Sequence, residues 1–484
     1  MEAVRSLWLR ELRRYPADFI EQQLGQGGQR TVRQLIQANI LRRVPQGKGD
    51  PDISELLEVA PEGEPMLAFN FCGLVLAGGC LIHVYPKYLP PGIQPEKAFW
   101  LAMRALQHYR NHRCQKLSRS ERQATGGDFF STVLALLADY RLHGLYRVAD
   151  DEIEINGQGE TDWQRTLERH QPAFIDTPQG RRPLYMERET IRRRTDEENF
   201  FRLVQMACLN ECAALVRTLG LTQLVNVQGV RFPGIKAPGS RHYMLRRLRQ
   251  ELGRQFSEQR RTVLQLLMLY IERRGGQAQK SSVIFYGTNA MAAVWEEAVR
   301  VVFSDQLHTR IRDMAALPAA RRASCPQRHK LLIDIIGRPC WTSPAGEDIF
   351  TDTLIPDTVA VTADSFIIYD AKYYTPHLSG RRLTGQPGLE SVTKQYLYQM
   401  AYADFLQYFT IPQVQNVFLM PLRHIAGGPF ARRFASVHFP LLEQYTQTPL
   451  RALLIDADEL WCAYVENRRI DVGVLAWEQL GGNK

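Results

Sequence analysis

Lysine is scarce in this chain of 484 residues: of its 60 basic side chains, 50 are arginine and 10 are lysine. Paired cysteines are missing as well. The cysteines at 72, 80, 114, 208, 212, 325, 340 and 462 form no CxxC pair and have no histidine at zinc-finger spacing, which excludes a zinc site of that kind. They read as reduced thiols, with Cys208 and Cys212, four apart on a helix, as core packing. No apolar run reaches the roughly 20 unbroken residues that a spanning helix needs. The nearest, Leu67 to Tyr85, is interrupted by Asn70, His83 and Gly78-Gly79 and reads as two strands joined by a Gly-Gly turn. Met1 to Arg14 alternates apolar residues with Arg and Glu, unlike an export signal. A cytoplasmic location without a membrane partner is expected. A P-loop is absent too, since Gly47-Lys48-Gly49 lacks both the upstream glycine spacing and the Ser or Thr that a phosphate cradle needs after lysine. Nucleotide hydrolysis, if it belongs to this system, has to come from another chain.

What is present suggests more than one core, because the chain exceeds the size of an ordinary domain. Its net charge of +9 and pI near 9.1 favour an anionic partner, as clustered arginine concentrates a phosphate backbone and displaces its counterions. Three regions are expected. Residues 1–175 form an α+β domain with the hairpin, the loop Pro86 to Pro91, and helices over Pro95 to Arg113 and Phe129 to His143. Residues 176–275 form an arginine-rich helical connecting region, with helices from Phe200 to Leu219 and Met244 to Arg273. Seven arginines fall between Arg241 and Arg261, a pattern of a solvated face or of a nucleic-acid contact. After Gly275-Gly276, residues 276–484 alternate helix and strand. Asn289 to Phe303 reads as a helix, Leu354 to Val361 and Phe366 to Tyr373 as a hairpin, and Ser391 to Phe409 as one long helix. Strands follow at Val414 to Leu422, Phe434 to Leu441 and Ala452 to Ile455. The class is α/β with a mixed sheet, since the short turn Thr362 to Ser365 joins two strands directly.

The chemistry gathers where lysine is rarest. Asp370-Ala371-Lys372 ends the apolar run Phe366 to Tyr369 and follows Pro356-Asp357, and Lys372 alone among the lysines has a carboxylate two positions before it. A tight hairpin puts Asp357 and Asp370 at one sheet edge, with the Ala371 carbonyl as a further oxygen. Such oxygens suit Mg²⁺, with Mn²⁺ able to substitute, and phosphodiester hydrolysis needs a cation, a positioned water and a stabilised leaving oxygen. Residues two apart on a strand share a face, so Lys372 lies beside Asp370. Next to two acids its ammonium stays charged and orients water or stabilises charge. The helix Ala290 to Glu297 offers a third acid, Glu296 being preferred over Glu297 because it follows Trp295. Gln395 and Gln399 share a face of the helix after the motif. Gln395 is a candidate for holding the lysine or a phosphate, while Gln399 and Tyr402 read as helix packing or solvated positions.

The order Glu296, Pro356-Asp357, Asp370-Ala371-Lys372, Lys394-Gln395 resembles the PD-(D/E)xK nuclease superfamily. Phe71-Cys72-Gly73-Leu74-Val75 and Val84-Tyr85-Pro86-Lys87-Tyr88 look like the N-terminal signature of McrC-type restriction subunits. Asp139-Tyr140, Gly144-Leu145-Tyr146, Gly159 to Thr166, Pro339-Cys340-Trp341 and Leu354-Ile355-Pro356-Asp357 look like the LlaJI restriction endonuclease family. The resemblance implies a restriction-endonuclease-like fold flanked by helices and a cytoplasmic subunit that cuts double-stranded DNA in anti-phage defence. It implies hydrolysis carried by Asp357, Asp370 and Lys372; with the residue-level reading above, the expected catalytic set is Asp357, Asp370, Lys372, Glu296 and Gln395, and the expected Mg²⁺ ligands are Asp357, Asp370, Glu296 and the Ala371 carbonyl. It also implies a separate McrB-like AAA+ GTPase that binds the GTP, with Lys87 and Tyr88 of the N-terminal domain on the partner-facing side. Two other readings compete: a stand-alone repair or recombination nuclease of the same superfamily, and a nuclease-inert adaptor that stimulates a GTPase.

Overall fold

The structure is a computed structural model that describes residues 5–45, 66–116, 129–147, 149–157, 160–178, 180–195, 199–280, 283–446, 448–471 and 475. Gly47-Lys48-Gly49 and Gln158-Gly159 lie outside the described residues. The chain divides into two compact units, Met1–Gly126 with Ser282–Lys484, and Gly127–Ser281.

The first unit contains an N-terminal sheet of β1 (Arg5–Arg10), β2 (Cys72–Ala77), β3 (Cys80–Tyr85) and β4 (Ile284–Thr288), in the order β1-β3-β2-β4. Gly78 and Gly79, both at positive φ, turn β2 into β3. The apolar run from Leu67 gives three strands where two were expected. Asn70 marks the break, and Met66–Phe69 pairs with Leu41–Val44 and Tyr15–Pro16 in a separate sheet. Far along the chain, β4 returns to pair antiparallel with β2, setting Gly287 opposite Gly73. Side chains do not fit there. A Cβ on Gly287 would lie 2.3 Å from the Cys72 carbonyl oxygen, and one on Gly73 would lie 2.3 Å from that of Tyr286.

The same unit carries a five-stranded mixed sheet: β5 (Thr358–Val361), β6 (Ser365–Ala371), β7 (Gln413–Leu422), β8 (Ala431–Val437) and β9 (Leu450–Asp456), ordered β5-β6-β7-β9-β8. β5 and β6 form the expected antiparallel hairpin, while β6, β7 and β9 run parallel. The helices of this unit include α1 (Glu96–Lys116), α2 (Met291–Val302), α3 (Leu389–Ala401) and α4 (Ala457–Val465). α1, α2 and α4 pack on one another, and α3 lies in the connection from β6 to β7. The long helix expected from Ser391 to Phe409 is two, α3 and Ala403–Phe409, with Tyr402 between them. The strand expected over Phe434 to Leu441 stops at Val437, because Pro440 cannot donate to a ladder and instead opens the short helix Pro440–Glu443. Phe366 and Ile368 of β6 share a buried cluster with Tyr398, Tyr402 and Phe405.

The second unit packs the helices Phe129–His143, Phe200–Thr218, Arg241–Arg254 and Glu258–Lys280 together. The helix expected from Met244 to Arg273 is two, and its second part runs on through Gly275-Gly276, where a break was expected. Several of its arginines work inside the unit. Arg241 donates to the Glu272 carbonyl at 2.8 Å, Arg249 pairs with the Glu272 carboxylate at 2.8 Å, and Arg261 donates to the carbonyls of Leu252 and Gln255. Cys208 and Cys212 are both buried there, as packing requires. Among the described residues no helix is long and apolar enough to cross a membrane.

The glycine pair generates a stability prediction. Gly287→Ala forces β4 away from β2 and lowers stability by about 1–3 kcal/mol, the cost of an overpacked site, measurable by chemical denaturation; an unchanged midpoint would refute the close approach.

Candidate active site

β5 and β6 are short, apolar and joined by a turn in which the Thr362 N–H donates to the Ser365 carbonyl at 2.8 Å. Their register sets Thr358 opposite Tyr369, so Asp357, just before β5, comes level with Asp370 near the end of β6. The Ala371 N–H donates to Asp357 Oδ2 at 2.9 Å, fixing one carboxylate against the strand that carries the other. Asp370 is buried, and Lys372 Nζ lies 2.9 Å from its Oδ2.

Glu296 comes from α2, whose buried positions Met291, Val294, Trp295, Ala298, Val299 and Val302 follow a helical stripe. Trp295 Nε1 donates to the Leu419 carbonyl at 3.1 Å, and the Lys372 N–H donates to the same carbonyl at 3.0 Å. That shared oxygen sets the helix beside the motif. Of the two adjacent acids, Glu296 senses Asp357 and Lys372, whereas Glu297 pairs with Arg300 at 3.0 Å.

The electrostatics describe negative charge held together against repulsion. Burial, and then the charge of Asp357, raise the pKa of Asp370 against the pull of Lys372. Burial and Asp357 likewise raise that of Glu296. At Lys372 burial disfavours the ammonium, but Asp370, Asp357 and Glu296 outweigh it and the pKa rises. The lysine is therefore a fixed cation. Among the described residues no group of three or more His, Cys, Asp or Glu is gathered tightly enough to hold a metal ion. The arrangement is two facing carboxylates with a third in electrostatic reach, all hard oxygen donors of the kind that divalent magnesium takes.

Gln395 lies fully buried on α3, its carbonyl accepting from Asn416 Nδ2 at 2.7 Å. Neither amide atom of its side chain has a hydrogen-bond partner among the described residues, and no bond ties it to the carboxylates. Gln399 turns elsewhere, donating to Thr448 Oγ1 at 3.2 Å. Lys87 and Tyr88, for which a partner-facing position was expected, are buried inside the unit. Lys87 Nζ sits over the rings of Tyr373 and Tyr374, and the Tyr88 hydroxyl accepts from Trp461 Nε1 at 3.1 Å. Two residues escaped the sequence reading. The Tyr398 hydroxyl donates to the Ile355 carbonyl at 2.9 Å, and burial followed by the charges of Asp370 and Asp357 raises its pKa. Tyr373, next after Lys372 in the chain, is buried, and its hydroxyl donates to Glu11 Oε2 at 2.9 Å. A helical spacing from Gln395 was the available signal for Tyr398; none pointed to Tyr373.

A family model described as LlaJI restriction endonuclease matches residues 71–315 and 328–458. The component YdjA of the type II restriction enzyme BsuMI from Bacillus subtilis (strain 168) is 24% identical over 419 residues, 83% of this chain and 82% of that protein. Among solved structures, a chain from the refined half-complex of the tetradecameric assembly of Thermococcus gammatolerans McrB AAA+ hexamers with bound McrC is 13% identical, with a TM-score of 0.37. The match covers 96% of this chain and 99% of that one. A chain of the Thermococcus gammatolerans McrBC complex is 14% identical with a TM-score of 0.25, covering 61% of this chain and 86% of that one.

Charge repulsion at the site predicts a stabilising substitution. Asp357→Asn keeps an oxygen for the Ala371 N–H but removes a charge felt by Asp370 and Glu296, so the melting temperature in chelator at pH 8 rises by about 2 °C. A fall in scanning calorimetry would contradict the electrostatic account.

Proposed function

Since the chain belongs to the LlaJI restriction endonuclease family, we propose that it is the DNA-cleaving subunit of a restriction system and that its site is of the PD-(D/E)xK type. The observation that carries the proposal is the convergence of Asp357, Asp370 and Lys372 at one sheet edge. Glu296 on the adjoining helix supports it through its electrostatic coupling to Asp357 and Lys372.

The carboxylates of Asp357 and Asp370 and the Ala371 carbonyl would hold Mg²⁺, or Mn²⁺ in its place, with Glu296 as a further acid within electrostatic reach. The donor chemistry fits, because Asp370 and Glu296, whose ionisation is opposed by burial and by the charge of Asp357, gain most from a neutralising dication. When bound, the cation supplies charge neutralisation and an activated water. Lys372, kept charged by three acids, orients that water beside the scissile phosphate and stabilises developing negative charge; it is not a free base. Gln395 of α3, whose side-chain amide has no partner among the described residues, would support this end of the site.

Double-stranded DNA is the substrate, and an McrB-like AAA+ GTPase on a separate chain would bind GTP and deliver it. Three observations support the division of labour: the missing P-loop, the McrC-like signature at residues 71–75 and 84–88, and the description of the Bacillus subtilis relative as a component. Residues 1–175 would serve partner assembly, 176–275 connection, and 276–484 cleavage, in a cytoplasmic complex. McrB–McrC assembly is what the Thermococcus gammatolerans structures contain.

In the presence of the GTPase, GTP and Mg²⁺, the chain should cut duplex DNA, and Asp370→Ala or Lys372→Ala should reduce cutting by at least about a hundredfold. Gel-resolved cleavage at the wild-type rate by both variants would overturn the assignment. Independently of activity, Mg²⁺ should raise the melting temperature of the wild-type chain and leave that of Asp370→Ala unmoved, as expected for a ligand bound by the folded state alone.

A further inference from the structure

The N-terminal sheet and the nuclease motif are joined by a closed circuit of hydrogen bonds and aromatic contacts within one unit. Glu11, just past β1, is buried, and its Oε2 accepts from the Tyr373 hydroxyl at 2.9 Å and from the Lys87 N–H at 3.1 Å. Arg10 grips the Lys87 carbonyl, with its Nε at 2.9 Å, and the Lys87 ammonium lies 4.9 Å from the centre of the Tyr373 ring. The next residue, Tyr88, accepts from Trp461 of α4. Trp461 meets Trp295 edge-on at 5.4 Å, and Trp295 donates to the Leu419 carbonyl that also receives the Lys372 N–H. The circuit therefore reaches the lysine twice, through its own N–H and through the following residue.

We propose that Glu11 and Tyr373 are positioning residues for Lys372, through which the placement of the N-terminal sheet sets the lysine's approach to the scissile phosphate. This deepens the nuclease reading and rests on it. The physical reason lies in the choice of groups. Apolar side chains would join the two sheets at less cost than a buried carboxylate, which is expensive to desolvate. A carboxylate that accepts two hydrogen bonds gives direction, which an apolar contact does not. Direction is wanted where a misplacement of about 1 Å at the reacting groups can cost about a hundredfold in rate. Lys87 and Tyr88 serve the same circuit from the N-terminal side. Any partner that shifts the loop after β3 would thereby act on the lysine without touching it.

The test uses the full chain with the GTPase, GTP, Mg²⁺ and duplex DNA, and reads kcat, KM for DNA and melting temperature. Tyr373→Phe, which deletes one oxygen, should lower kcat by about tenfold or more while KM and melting temperature stay at wild-type values. Glu11→Ala should lower kcat by a similar factor, with a lower melting temperature because two buried donors lose their acceptor, and Glu11→Gln, which retains an acceptor oxygen, should recover most of the rate. A wild-type kcat in Tyr373→Phe and Glu11→Ala, or losses that appear only in KM or melting temperature, would overturn the proposal. Asp370→Ala runs beside them as the control. If it still cuts, the nuclease reading falls and this inference with it; if it is inactive while Tyr373→Phe cuts normally, this inference falls alone.

Discussion

One carbonyl oxygen, that of Leu419 in β7, is the point on which the candidate site depends. It accepts from the Lys372 backbone N–H at 3.0 Å and from the Trp295 indole at 3.1 Å. A carbonyl has two lone pairs, so both bonds can form at once, and each is in the buried interior where an unmade bond is costly. The first bond extends the parallel pairing of β6 and β7 to the lysine. The second brings α2 to the sheet and carries Glu296, the residue after Trp295, toward the acids. The placement of α2, and with it that of the third carboxylate, depends on that one group.

Around it the chain assembles charges that oppose folding. Burial and the charge of Asp357 raise the cost of ionising Asp370 and Glu296, with Lys372 as the compensating cation. A fold selected for stability alone would not gather them. The surrounding structure has to hold the site rigid from outside. It does so with Trp295 and Trp461 edge to face, Tyr373 on Glu11, and Tyr398 hydrogen-bonded to the backbone just before Pro356-Asp357. These groups are buried and polar at one end, which lets them bear both packing and direction.

Much of this was legible from residue order. A hairpin with an acid before its first strand and a D-x-K at its end has little freedom, because strand period and a short turn fix which residues face each other. The positions of Asp357, Asp370 and Lys372 followed from that local geometry, and so did the mixed sheet. The glycine pair at 73 and 287 was not legible, since neither glycine has its partner within 200 residues and the tight approach exists only once β4 pairs with β2. Nor was the role of the last 60 residues. They carry no motif, yet supply β8, β9 and the Trp461 helix that buttresses α2. The arginines of 241–261 looked like one basic face, but Arg241, Arg249 and Arg261 hold carbonyls and a carboxylate within their own unit.

By itself the sequence determined which groups could carry the proposed chemistry: a scarce lysine two residues from an acid, a second acid one hairpin strand earlier, and the family signatures around them. Those depend on neighbours along the chain, where strand period and turn length leave few alternatives. Tertiary structure decided what the motif leans on. Glu11 and Lys87 lie some 285 residues and more from Tyr373 in sequence and meet it only because two sheets share a unit. No local propensity encodes such a meeting; it arises from the burial of distant apolar surface, which is non-directional and selects partners only when the whole unit closes.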